Sequence, residues 1–284
     1  VFGVLDFSIV YYYNSRHMSN FLTKENKALL AELVRTDFKL RYQGSLLGYV
    51  WSLLKPLLLF GILYVVFVNF LRVGNEIQHF AVYLLIGIVL WNFFTEMTVQ
   101  SVGAIVSRSD LIRKIKIPRW TVVISTSISA TINLLLSLVI VAIFMVVNQV
   151  PLTLAGVLLF PVYVIWLYLL ALGFSFLLSA LYVKFRDVSY IWEVILQGGF
   201  YATPIIYPLQ MVKNELLEKL LLLNPVALVI QGVRDAIIGD KTLSFFDLWH
   251  NPLAIVVPVG FTLVVLVGGW LYFQKESKFF AENL

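Results

Sequence analysis

Along this chain the apolar residues gather into uninterrupted runs of about 20 rather than alternating, which is the length one helix needs to cross a hydrocarbon layer of roughly 30 Å. Six such runs are expected as spans, near 48–71, 80–102, 121–147, 155–183, 190–207 and 253–273. A membrane β-barrel would show period-two alternation instead. Ahead of the first run, residues 24–42 carry Leu30, Leu33, Val34 and Phe38 on one side, with Lys27, Glu32, Arg35 and Lys39 spread over the rest. That pattern predicts an amphipathic helix, capped by Thr23, lying in the membrane interface and too polar to span. The stretch 209–251 also breaks the rhythm. Residues 216–223 and 226–238 are apolar enough to enter a bilayer, yet Pro225 and the charges Lys213, Glu215, Glu218, Lys219, Arg234 and Asp235 forbid a clean crossing. A re-entrant helical hairpin is expected there, an external loop with two surface helices being the alternative. The fold class is an all-α membrane protein: six transmembrane helices, an N-terminal interface helix, and re-entrant external helices before the last span.

Composition agrees with this reading. The 284 residues are 60% hydrophobic and 13% charged, with a mean hydropathy of +0.89, more apolar surface than one soluble core hides. The net charge of +5 suits a nucleic-acid partner less well than a topology signal. With six spans, 16 of the 21 lysines and arginines fall on the side that holds both chain ends. The positive-inside bias then places both termini of this multi-pass protein in the cytoplasm. The Tyr-rich residues 1–17, ending in the His17-Met18 junction, are expected to be a vector-encoded leader, leaving 18–284 as a single domain.

Candidate chemistry is sparse. There is no cysteine, and the three histidines (His17, His79, His250) are far apart, so no disulfide framework, Cys/His metal site or Ser/His/Asp constellation can be assembled. No Gly-rich phosphate loop with a Walker lysine occurs. Within the spans the ionisable groups are Lys55 and Glu193, near span ends where they can snorkel, and Glu96, beside Asn92, Thr95, Thr98 and Gln100. Glu96 could bind a proton or cation, or join a polar helix-packing cluster. Aromatic side chains say more: Trp51, Phe60, Tyr64 and Phe67 on the first span, Trp91, Phe93 and Phe94 on the second, and Trp192, Phe200 and Tyr201 on the fifth. Sugar rings present C–H faces that pack on aromatic rings, so an aromatic-lined pore lets a glycan slide without binding it tightly. Trp51, Trp192 and Trp249 also fit interfacial belts. Two basic loops carry apolar residues, 107–118 with Leu111, Ile112 and Ile115, and 182–188 with Phe185. They read either as topology signals or as docking points for a cytoplasmic protein.

The segment Arg41-Tyr42-Gln43-Gly44-Ser45-Leu46-Leu47-Gly48-Tyr49-Val50-Trp51-Ser52-Leu53-Leu54-Lys55-Pro56, following an amphipathic helix and entering the first span, resembles the hallmark of the ABC-2 type polysaccharide exporter permeases. These move O-antigens, capsular polysaccharides, wall teichoic acids or rhamnans. The resemblance extends from Met18 across the chain and includes the Asp110-Leu111-Ile112-Arg113-Lys114 loop, the Phe185-Arg186-Asp187 loop and Asn224-Pro225. It implies a homodimer of six-span subunits bound to two copies of a separate ABC ATPase, which carries the ATP and magnesium; this chain holds no cofactor and hydrolyses nothing. It implies that Arg108, Asp110, Leu111, Ile112, Arg113 and Lys114 form one coupling loop, and Lys184, Phe185, Arg186 and Asp187 another. It implies a channel lined by the first and fifth spans, with Phe60, Tyr64, Phe67, Phe200 and Tyr201 as sugar contacts. Arg41 and Lys55 are placed to attract the pyrophosphate of a lipid-linked glycan. The competing expectations are an ion-coupled flippase relying on Glu96, a membrane glycosyl- or acyltransferase, and a scaffold for a synthase. The cargo is not readable from these residues.

Overall fold

The computed structural model describes residues 24–42, 48, 50–70, 79–114, 117–239, 242, 244–249 and 251–280. The expected leader, the proposed Thr23 cap and residues 43–47 of the hallmark segment lie outside the described residues; of Arg41 the helical backbone alone is described.

Every regular element among the described residues is helical. The amphipathic segment is α1 (Lys24–Tyr42), lying against α5 with Leu33 buried. The first span is α2 (Val50–Tyr64), which accommodates Pro56 and widens into a π-helical turn over Val65–Phe70. Next come α3 (Phe80–Ser107), the short α4 (Ser109–Lys114), α5 (Trp120–Val147) and α6 (Leu154–Lys184). They are followed by α7 (Val188–Ala202), α8 (Glu215–Leu223), α9 (Pro225–Ile238), α10 (Phe245–Leu248) and α11 (Val256–Ser277).

The hub is α3. Its first half is apolar all round, and 78% of its most apolar stretch is buried inside the chain. Around it pack α2, α5, α6, α7 and α9. α6 and α11 meet through small residues: a Cβ on Gly269 would lie 2.3 Å from the Gly173 carbonyl oxygen, so the two backbones touch where no other side chain fits. Among the described residues five helices are long and apolar enough to cross a membrane, Val50–Phe70, Phe80–Ser107, Trp120–Val147, Leu154–Lys184 and Pro252–Ser277, or six if the bent pair Glu215–Leu223 and Pro225–Ile238 is one span.

The expected fifth span needs correction. Only Val188–Ala202 is helical, 15 residues, or about 22 Å of rise, short of the hydrocarbon thickness. Pro204 supplies no N–H and biases Thr203 away from the helical region, and the Thr203 backbone is extended, with ψ 135°. Residues 203–206 are therefore non-helical, and they are buried against the rest of the fold, the condition under which irregular backbone persists at membrane depth.

The expected hairpin is present as α8 and α9, bent by 101° at Asn224. The bend is encoded locally. The Asn214 side chain caps α8 by accepting from the N–H groups of Leu216 and Leu217. Asn224 caps α9 by accepting from Val226 N–H, with Pro225 in the first helical position. Gly239, at φ +81°, ends α9.

Two satellite cores mark the ends of the bundle. One joins α8, α9, α10 and the turn that leads into α11 through Leu209, Leu222, Leu228, Phe245, Leu248 and Ile255. The other joins α1, α4 and the ends of α3, α6 and α11 through Leu29, Ile105, Ile112, Val183, Phe273 and Phe280. Both basic loops and both described chain ends thus meet at one end, the hairpin at the other.

Candidate functional site

An open cleft of about 760 Å³ runs between α3 and α7, with Leu59 of α2 and Tyr182 of α6 at its margins. From α3 it takes Trp91, Asn92, Thr95 and Val99; from α7 it takes Trp192, Glu193, Gln197, Phe200 and Tyr201. Its walls are aromatic with polar groups interspersed. The Phe200 and Tyr201 rings stand edge to face, 5.4 Å between centroids, and Phe200 abuts Trp91 at 6.1 Å. Tyr201 is 66% exposed, leaving its phenol and ring face available.

α7 is held onto α3 by Trp192. Its indole N–H donates to Thr98 Oγ1 (3.1 Å), and Thr98 in turn donates to the Phe94 carbonyl (2.9 Å). The ring packs against Phe174 and Phe94, 5.1 and 6.3 Å between centroids. Trp192 is buried, so it anchors a helix rather than joining an interfacial belt.

Of the expected sugar contacts, the structure brings Phe200 and Tyr201 together in the cleft and leaves the three on α2 outside it. Phe60 is buried edge-on against Phe144 of α5, 5.2 Å between centroids. Tyr64 and Phe67 are half-buried against the main core. Lys55 is exposed on α2. Glu96 resolves into a helix-packing group: its Oε1 accepts from Gln100 (2.7 Å) and from Asn133 of α5 (2.5 Å).

At the loop end, Asp110, Arg113 and Lys114 are exposed, Leu111 is half-buried, and Ile112 is buried beneath α4 as its anchor. Ile112 thus fixes the loop to the bundle while its charged neighbours face outward. Arg108 is ion-paired with Asp37 of α1, and burial pulls its guanidinium down to about 10, which leaves it charged at neutral pH. In the second loop Lys184, Phe185, Arg186 and Asp187 are all exposed, Phe185 by 59%. Lys184 pairs with Glu276 of α11 (2.7 Å), and Arg186 lies over the Tyr182 ring at 5.1 Å.

One residue escaped the sequence reading, which counted Arg234 among outer-side topology charges. It is 0% exposed. Its Nε donates to the Tyr83 carbonyl (2.9 Å), Nη1 to that of Pro204 (2.5 Å) and Nη2 to that of Ile205 (2.7 Å), while the guanidinium lies 3.6 Å over the Tyr83 ring. The available signal was Gly87, one turn along α3 from Tyr83: a Cβ there would sit 2.3 Å from Arg234 Nη2.

Residues 28–238, from α1 through α9, match the family described as ABC-2 type transporter. The chain is 30% identical over 260 residues to the O-antigen export system permease protein RfbA of Myxococcus xanthus, covering 91% of this chain and 96% of that protein. It is 28% identical over 256 residues to the protein of the same name from Klebsiella pneumoniae, with 90% and 95% covered. To the polysialic acid transport protein KpsM of Escherichia coli it is 27% identical over 266 residues, with 88% and 95% covered. With the family matched across most of its length and relatives aligned nearly end to end, the chain belongs to the ABC-2 type transporter family.

Proposed function

We propose that this chain is the permease subunit of an exporter that carries a lipid-linked polysaccharide from the cytoplasm to the outer side of a bacterial plasma membrane. ATP is hydrolysed, with magnesium, on a separate subunit present in two copies, and two copies of this chain enclose the path. The observation that carries this reading is the α3–α7 cleft, where Trp91, Phe200 and Tyr201 offer ring faces and Asn92, Glu193 and Gln197 offer hydrogen bonds. That pairing of flat apolar faces with scattered polar groups suits a sugar chain, whose rings stack while their hydroxyls find partners. The export systems in which the relatives are named support the same cargo class; teichoic acid fits the same surface.

The loop end supports a docking role for the ATPase. Arg113, Lys114 and Phe185 are exposed at the same end of the fold, and exposed apolar residues among basic ones form a partner surface. Both described chain ends lie at this end, as the cytoplasmic assignment of the termini requires. Glu96, bound by two amide groups between α3 and α5, disfavours the ion-coupled alternative.

The test is co-purification with an ABC ATPase encoded beside it, followed by ATP hydrolysis in nanodiscs with and without lipid-linked glycan. A two-plus-two complex whose hydrolysis responds to glycan is expected. Purification alone, with lipid moved in the absence of nucleotide, contradicts the reading.

A further inference from the structure

The end of α7 has a defect that another element repairs. The helix stops at Ala202, so the carbonyls of Pro204 and Ile205 lack helical donors, and they are buried where water is scarce. Arg234, from the middle of α9, supplies donors to both and to the Tyr83 carbonyl of α3. Its neighbour one turn back, Gln231, accepts from the Tyr83 hydroxyl (3.4 Å). Among the described residues no carboxylate lies within ion-pair distance of Arg234.

A charge buried on neutral carbonyls alone is an expensive way to fill space, since an apolar side chain of similar volume avoids its desolvation. What the guanidinium adds is direction: a planar fork fixed to three carbonyls in two other segments. Breaking any of these bonds strands a donor and an acceptor in a dry site, so α9 and the end of α7 move together more readily than they part. The end of α7 carries Phe200 and Tyr201.

We propose that Arg234 is a positioning residue for export, locking the α8–α9 hairpin to the end of α7 so that the hairpin and the aromatic end of the cleft move as one body. This rests on the export reading above. Neither loop chemistry nor nucleotide contact is involved; the residue acts through backbone placement.

The chain has no cysteine, so spin labels at Ala202→Cys on α7 and Leu220→Cys on α8, in labelled chain diluted with unlabelled chain and assembled with a cysteine-free ATPase, report this distance without competing sites. One narrow distribution is expected in the exporter complex, unchanged between nucleotide-free and nucleotide-trapped states. Arg234→Met fills most of the volume but still leaves the Pro204 and Ile205 carbonyls without donors, so it should lower the melting temperature less than Arg234→Ala does, broaden the distribution and lower export about tenfold or more. Arg234→Lys, able to reach some of the carbonyls, should restore part of both. A narrow distribution or normal export in the Met variant overturns the proposal. If that variant does not fold, Gly87→Ala crowds Nη2 without removing the charge and should broaden the distribution in the same way. Separation of the two labels by several ångströms on nucleotide trapping in the parent also overturns it. Broadening in the Met variant of a chain that exports no glycan even as the parent would support the lock and sink the export reading instead.

Discussion

The two ends of the bundle handle charge in opposite ways. At the loop end, Arg108 meets Asp37 and Lys184 meets Glu276, one pair for each basic loop, while Arg113, Lys114 and Arg186 stay exposed. At the hairpin end, Arg234 is withdrawn from solvent and spends its donors on main-chain carbonyls. The loop end thus keeps exposed charges beside part-buried pairs, and the pairs tie each loop to a different chain end, α1 or α11. The hairpin end is a joint in which one charge substitutes for missing helix hydrogen bonds. Equal residue types on one chain do unlike work because water is at hand in one place and absent in the other.

That contrast ranks the effects of substitution on the folded protein. Arg234→Ala should be the most damaging, by about 3–5 kcal/mol, because it opens a cavity and leaves the buried Pro204 and Ile205 carbonyls unpaired; a sharp loss of folded protein by fluorescence-detected size exclusion checks it. Gly269→Leu, which drives a side chain into the Gly173 carbonyl, should cost about 1–3 kcal/mol and lower the melting temperature. Asp37→Ala strands the half-buried Arg108 and should cost about 1 kcal/mol, visible as earlier proteolysis of α1. Arg113→Glu should change stability by less than about 0.5 kcal/mol while uncoupling hydrolysis from export, read by comparing the two rates in vesicles. Were Arg234→Ala as mild as Arg113→Glu, the distinction between joint and surface would fail.

Most of the fold was legible because a bilayer forces continuous apolar runs, and those runs set the limits of α2, α3, α5, α6 and α11 within a few residues. The hairpin was legible for the opposite reason, as apolar stretches interrupted by charges and Pro225. What escaped were features decided by distant partners. Thr203-Pro204 announces a break in α7, but only the fold shows that the broken segment stays buried. Arg234 reads as a topology charge because its partner at Tyr83 is 151 residues away. The cleft was half legible. Phe200 and Tyr201 line the cleft, whereas a mostly apolar helix such as α2 does not reveal which face meets a neighbour, and Phe60 packs on Phe144. The burial of Ile112 was not legible either, because a helix as short as α4 leaves no periodic trace.

The central claim is that polysaccharide passes along the α3–α7 cleft, and site-specific photocrosslinking during active export tests it most directly. A photoreactive amino acid at Tyr201 or Glu193 should capture glycan in an ATP-dependent manner, while one at Leu135, exposed on α5 away from the cleft, should capture only lipid. Glycan captured at Leu135, with none at Tyr201 or Glu193 while export proceeds, would contradict the account.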